Sequence, residues 1–402
     1  MDDRAELTVR GLILGAAITL VFTAANVYLG LKVGLTFAST IPAAVISMAV
    51  LRAFKNSSIY ENNIVQTVAS AAGTLSAVIF VLPGLIMIGW WTGFPFGETF
   101  AVCAIGGILG VMYSVPLRRA LVSQSSLPYP EGVAAAEVLK VGTSTPTAER
   151  SNRAGMLALA GSALASAGFA TVVATRVFAG QLATYVRFGN AATGLGFSLS
   201  LALVGAGELI GISVGLAIAT GLLIAWGFAT PILTALHPVA GAAADVATAV
   251  WSHQVRFIGA GAIGIAALWS LGRLVRPVVG GVTSALAASR RRRGGAWENE
   301  PRTERDLPIS VVGLISFCCL IPLAVLLANF LAGGRLAPVA GWMTAGALIY
   351  IVIAGFFVAA ACGYMAGLIG SSNSPVSGLA ILAVLGASLL LLLIAKSVGV
   401  SA

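Results

Sequence analysis

Residues 61–73 read ENNIVQTVASAAG, and TLSAVIFVLPGLIMIGWW follows at 74–91. Glu61, Asn62, Asn63, Gln66 and Thr67 thus stand at the mouth of an apolar run long enough to cross a bilayer. Hydrocarbon penalises every polar group left without a partner. These side chains must therefore meet neighbouring helices or a wet passage, and the rest of the sequence has to say which.

Composition sets the class. Of 402 residues, 58% are apolar and 9% charged, against about 25% charged in a soluble domain. That deficit is too large for a water-exposed surface, so the expected fold is an all-α polytopic transmembrane bundle with broken or re-entrant helices. Forty-eight glycines suit close helix contacts in lipid, where small side chains let backbones approach. The opening MDDRAELTVR mixes basic and acidic residues and lacks the pattern of a cleaved signal peptide. Cys103, Cys318, Cys319 and Cys362 lie in apolar segments with no C-x-x-C spacing and read as small hydrophobes.

Windows of about 20 apolar residues place spans near 11–31, 36–51, 64–90, 99–117, 154–175, 197–225, 257–272, 308–331, 341–363 and 376–395. The segments 230–250 and 277–289 remain ambiguous, which gives roughly nine to twelve crossings. Net charge is +9, concentrated in Arg290–Arg293 with Arg302 and Arg305 after it. Beside a span, such a run reads as a topology signal or a contact with anionic lipid, not a nucleic-acid site. The basic bias places the N-terminus and this run in the cytoplasm. The expected organisation is a bundle over 1–289, a cytoplasmic basic linker over 290–307 and a second group of transmembrane helices over 308–402.

Polar and helix-breaking residues gather at a few places. NVYLGLKVG at 26–34 carries Asn26, Tyr28 and Lys32. GLIGSSNSPVSG at 367–378 sets Ser371, Ser372, Asn373, Ser374 and Pro375 between two apolar runs. Proline removes a backbone donor and frees carbonyls for ligand, water or a neighbouring helix. Any one such residue can simply glue helices together; the clusters favour a solute path built on broken helices. In SLPYPEGVAAAEVLK, 126–140, Pro128 and Pro130 hold an extended approach around Tyr129, and Glu131 falls in the first turn of a helix. That element serves as a gate or as a structural helix.

Glu208 is isolated in LALVGAGELIGISVGLAIA and is a candidate for proton coupling. His237 and Asp245 lie in the ambiguous segment as further titratable candidates. With His253 they lack the spacing of a metal motif, and no metal or other cofactor is expected. Trp90 and Trp91 read as an interfacial belt, and Lys32, Arg176 and Arg187 as interfacial charges or attractors of an anionic solute. Walker, dinucleotide, H-E-x-x-H and G-x-S-x-G patterns are absent, so an enzyme is not expected.

NVYLGLKVGLTFASTIPAAVISM (26–48), ENNIVQTVASAAGTLSAVIFVLPGL (61–85), LPYPEGVAAAEVLKVG (127–142) and GLIGSSNSPVSGL (367–379) together resemble the oligopeptide transporter family, in its prokaryotic branch related to yellow-stripe-like transporters. The resemblance implies a proton-coupled secondary transporter of a bacterial inner membrane. It would import small peptides or peptide-like metal chelates by alternating access. Its partners would be that substrate, protons and the bilayer, with a homo-oligomer left open. Carried residue by residue, the likeness marks Asn26, Tyr28, Lys32, Glu61, Asn62, Asn63, Gln66, Thr67, Pro128, Tyr129, Pro130, Glu131, Ser371, Ser372, Asn373, Ser374 and Pro375 for path or gate. Family members are usually longer, with more crossings in their second half, and the NPG-type motif of the fungal peptide-transporting branch is missing. The expectation is a chain truncated at its C-terminal side. The rival reading is a membrane scaffold whose polar groups only join helices.

Overall fold

The computed structural model describes residues 6–33, 36, 38–54, 56–123, 125–144, 157–158, 161–162, 164–169, 171–199, 201–210, 212–266, 268–269, 272, 283, 305–332, 337–371 and 376–397. Among them, seven helices are long and apolar enough to cross a membrane: Val9–Leu31, Ile59–Met87, Phe96–Leu117, Gly215–Leu236, Ile309–Ala332, Ala337–Leu368 and Val376–Ser397. The chain is an all-α polytopic membrane protein in its spans, with one small hairpin added.

In chain order the helices are α1 (Val9–Val33), α2 (Thr40–Leu51), α3 (Ile59–Leu75), α4 (Leu82–Met87), α5 (Phe96–Ser114) and α6 (Pro130–Ser144). Strands β1 (Gln181–Phe188) and β2 (Ala191–Ser198) follow. Then come α7 (Leu201–Ile210), α8 (Ile212–Leu222), α9 (Thr230–Leu236), α10 (Ala243–Val250), α11 (Ile309–Ala332), α12 (Ala340–Ile369) and α13 (Val376–Ser397).

Several boundaries differ from those read off hydropathy. At 12 residues, α2 rises about 18 Å, short of the roughly 30 Å hydrocarbon core; the expected span 36–51 is therefore not a membrane-length helix. The polar ENN triplet lies inside α3 and not ahead of it. Ser58 and Glu61 make half a capping box, the Glu61 N–H donating to Ser58 Oγ at 3.0 Å. After α3 the helix tightens to a 3₁₀ stretch at Ser76–Phe80, and Pro83 sits in the first turn of α4. This is a broken helix caused by proline.

The span expected at 197–225 begins later and ends later. β1 and β2 pair antiparallel from Gln181↔Ser198 to Phe188↔Ala191, and the membrane-length helix is Gly215–Leu236. Pro231 ends nothing there. The π turn at Leu223–Ala229 directly before it widens the helix, and the Thr193 hydroxyl donates to Trp226 O, the carbonyl that residue 231 would meet in the π register, so the missing N–H is replaced.

By contacts the chain divides into two compact units. The first takes Met1–Leu14, Ile41–Gln66 and Glu137–Ile265. Here Ala44, Met48 and Leu139 form a buried cluster, and β2 packs on α9 and α10. Ala192 is buried with Val246 and Ala247, its N–H donating to Thr234 Oγ1 at 2.9 Å. Beside the hairpin's turn, Arg187 donates to Val239 O at 2.7 Å and Gly241 O at 2.8 Å.

The second unit takes Gly15–Thr40, Thr67–Ala136 and Ala266–Ala402. Its core joins α5, α11 and α12 through Ile105, Leu109 and Cys319. A second cluster holds Leu117, Leu121, Ala360, Ala361 and Leu379. Small residues set the closest approaches: a Cβ on Gly386 would lie 2.5 Å from the Tyr350 hydroxyl, which donates to Ala383 O at 2.8 Å and ties α12 to α13. Arg118 and Arg119 both donate to Asp306, the latter at 2.8 Å, so the C-terminal end of α5 is pinned beside the start of α11.

Candidate functional site

The α3 helix sorts its polar residues onto two faces. At 3.6 residues per turn, Asn63, Thr67, Ser70 and Thr74 fall within about 60° of one another, and Asn62, Val65, Ala69 and Ala72 on roughly the opposite side. The second face is the packed one: Asn62 is 4% exposed and Val65, Ala69 and Ala72 are 0%. On the first, Asn63, Thr67 and Thr74 are exposed and Ser70 half-buried. Gln66 sits between the faces and donates from Nε2 to Asn63 Oδ1 at 2.9 Å.

The packed face accounts for Glu61 and Asn62. Arg10, in the first turns of α1, donates to the Glu61 carboxylate at 2.6 Å and 2.8 Å, and the Thr8 hydroxyl donates to the same carboxylate. Glu61 is 1% exposed. Ser47 of α2 donates to Asn62 Oδ1 at 2.6 Å, and Asn62 Nδ2 donates to Ser58 O at 3.0 Å. These two side chains fasten α1, α2 and α3 within the first unit. In the second unit Ser39 donates to Ala69 O at 2.9 Å and Thr19 to Val68 O at 3.1 Å.

A second constellation lies within the second unit, where the Pro128–Glu131 motif meets the end of α12. Tyr129 has φ +44° between its two prolines, and its N–H donates to Gly367 O at 2.8 Å while its hydroxyl donates to Leu121 O at 2.7 Å. Glu131, in the first turn of α6, accepts on Oε2 from the Ser371 N–H at 2.9 Å and the Ser371 hydroxyl at 2.6 Å. Gly370 ends α12 at φ +92°, ψ 157°, a region open to glycine and strained for other residues. α12, which ends at Ile369, and α13, which begins at Val376, are both of membrane length, at 30 and 22 residues.

Asn26 is fully buried and Tyr28 63% exposed, both on α1; the side chain of Lys32 lies outside the described set, as do Ser372, Asn373, Ser374 and Pro375. Glu208 is exposed on α7 and lines an open groove with Gly207, Ile212, Gly215 and Leu216. His237, at the end of α9, and Asp245, in the first turn of α10, are both exposed. Among the described residues no three His, Cys, Asp or Glu side chains come together as a metal site.

Sequence reasoning missed Thr8, Arg10, Ser47 and Asp306. Their partners stand 53, 51, 15 and about 188 positions away, beyond any local spacing. The hairpin was readable: QLATYVRF and AATGLGFS flank Gly189-Asn190, a two-residue turn with Gly189 at φ +59°.

Residues 6–400 match the family model described as OPT oligopeptide transporter protein. A Haemophilus influenzae protein named "Putative oligopeptide transporter" is 47% identical over 375 residues, 92% of this chain and 58% of that one. The rice "Metal-nicotianamine transporter YSL2" (Oryza sativa subsp. japonica) is 26% identical over 281 residues, 58% of this chain and 40% of that one. The chain thus spans little more than half the length of the first relative and less of the second. No solved structure matches. With nearly its whole length covered by that model, the chain belongs to the OPT oligopeptide transporter family.

Proposed function

We propose that this chain forms part of a proton-coupled secondary transporter that imports small peptides or peptide-like metal chelates by alternating access. The observation that carries this reading is the outward polar face of α3. Helix glue needs polar atoms only where helices touch, and Glu61 and Asn62 already supply it there. Asn63 and Thr67 are exposed on the face turned from that packing of a membrane-length helix, with Asn63 Oδ1 also accepting from Gln66 within the helix, and exposed polar groups there are better solvated by water than by lipid. A water-filled passage gives them a purpose. Their amide and hydroxyl groups would replace water around a dipolar or charged solute.

Membership in the family and the names of the relatives support the substrate class: one is named for oligopeptides, the other for metal-nicotianamine. Proton coupling is assigned to Glu208, an exposed carboxylate on an apolar helix. In this reading the protein lies in a bacterial inner membrane with its N-terminus and arginine-rich segments cytoplasmic.

The test is uptake by purified protein in liposomes. Di- to pentapeptides and chelated metals are offered with and without an inward proton gradient. Saturable, gradient-driven accumulation of at least one solute supports the reading, and Glu208→Gln should then uncouple solute entry from proton entry. Absence of uptake across the panel removes the transport reading and leaves the polar face as a surface for another protein.

A further inference from the structure

We infer that the N–H and hydroxyl of Ser371 form a seat for the free carboxylate of a solute, and that Glu131 is its resident competitor. This inference rests on the reading of the chain as a carrier of carboxylate-bearing solutes. Two donors from one residue converge on one oxygen, Glu131 Oε2, at 2.9 Å and 2.6 Å. That is the charge-assisted geometry a carboxylate selects. Ser371 is exposed and Glu131 half-buried, so a carboxylate from solution can reach the same donors.

The surroundings favour exchange over permanent closure. Ser371 lies two residues beyond the last residue of α12, Ile369, and the field of that helix end acts alike on either carboxylate. Glu131 occupies the first turn of α6, where the field favours a negative charge. Released from Ser371, its carboxylate still lies at a favourable helix end. The supporting backbone need not move with it: Tyr129 is held by Gly367 O and Leu121 O, contacts independent of the Glu131 carboxylate. Glycine at 370 is what allows the approach, because a Cβ there would stand 2.6 Å from Glu131 Oε1. The site is therefore a carboxylate-binding pair filled from within, and an incoming peptide C-terminus or chelate carboxylate takes the place of Glu131.

Hydrogen exchange of the full chain in lipid nanodiscs tests this. In Glu131→Ala, the peptide covering 367–371 is expected to exchange at least tenfold faster than in the wild type. Added alanylalanine should restore protection, alanylalaninamide should not, and Ser371→Ala in the same background should shift half-saturation at least fivefold higher. Acetate matching alanylalanine supports a bare carboxylate seat, and alanylalanine acting alone supports one that also reads the peptide. Exchange that ignores alanylalanine, or responds equally to the amide, overturns the seat. Glu131→Gln, which keeps one acceptor, provides the milder variant, with intermediate protection and the same ligand response expected. Uptake is measured separately: protection without uptake leaves the seat and removes the transport reading, and uptake without protection does the reverse.

Discussion

The Arg10 guanidinium grips the Glu61 carboxylate at 2.6 Å and 2.8 Å, joining the first turns of α1 to those of α3. Glu61 is 1% exposed and Arg10 34%. Removing one partner of such a pair strands the other charge, and the stranded carboxylate is the buried one. Arg10→Ala should therefore lower the melting temperature, because Glu61 would keep its charge in a buried place without its main partner. The double change Arg10→Met with Glu61→Met should recover most of that loss. Thermal unfolding in detergent decides it: equal melting temperatures for the single and double variants would show that the pair is not what fastens these helices.

Two adjacent asparagines have opposite expected phenotypes. Asn62 is buried and bonded to Ser47 and Ser58. Asn62→Leu leaves the Ser47 hydroxyl without that acceptor and should cost about 1–3 kcal/mol. Asn63 is exposed on the other face. Asn63→Leu removes the acceptor of Gln66 Nε2, so uptake is compared per folded molecule; it should fall at least tenfold, and Thr67→Val should act in the same direction. If Asn63→Leu melts early with uptake per folded molecule intact, the outward face is packing and not passage.

The contrast shows what the sequence could and could not disclose. Length and apolarity were enough to find α1, α5, α11, α12 and α13, because a bilayer imposes one period and one minimum length. The ENN triplet and the LPYPEG stretch were legible as special because polar and helix-breaking residues are costly where they stand. Which of the triplet is packed and which exposed was not legible, since only helical phase separates Asn62 from Asn63. The bonds that define the second constellation were equally hidden: Glu131 and Ser371 are 240 positions apart. The boundary at 225 came from an apolar window, and hydropathy does not foresee a π turn that carries the helix past Pro231.

Asp306 gives a pH dependence with a definite sign. Burial pushes its pKa up, but hydrogen bonds from Arg118 and Arg119, with their charges, outweigh burial and hold it below the ordinary value of 3.8. A carboxyl whose folded pKa is depressed contributes stability that is fully present above the unfolded pKa and fades as pH falls through the folded one. Wild type should thus exceed Asp306→Asn in melting temperature at neutral pH, and the gap should shrink as pH drops below about 4. Because other carboxylates titrate there too, the difference between the two proteins is the quantity to follow. A gap that stays constant from pH 7 to pH 3 would mean that the tie between the end of α5 and the start of α11 does not depend on this charge.

Gly370 should be the least replaceable glycine of the second constellation, for two separable reasons. Its φ of +92° with ψ 157° strains any residue with a Cβ, at about 1–3 kcal/mol. A Cβ would also come within 2.6 Å of Glu131 Oε1, so Gly370→Ala must displace the carboxylate as well. Gly367→Ala meets the far ends of Leu127 and Tyr129 at 2.8 Å and 2.9 Å, but Gly367 lies in the helical backbone of α12 with no positive φ, so it should cost less. A double-mutant cycle separates the terms. In the Glu131→Ala background the clash disappears while the backbone strain stays, so Gly370→Ala should cost less there than in the wild type by about 1 kcal/mol or more. Melting temperatures of the four proteins measure the coupling; additive losses would show that the carboxylate yields freely to a methyl group, and that the close approach at Gly370 has no part in holding Glu131 on Ser371.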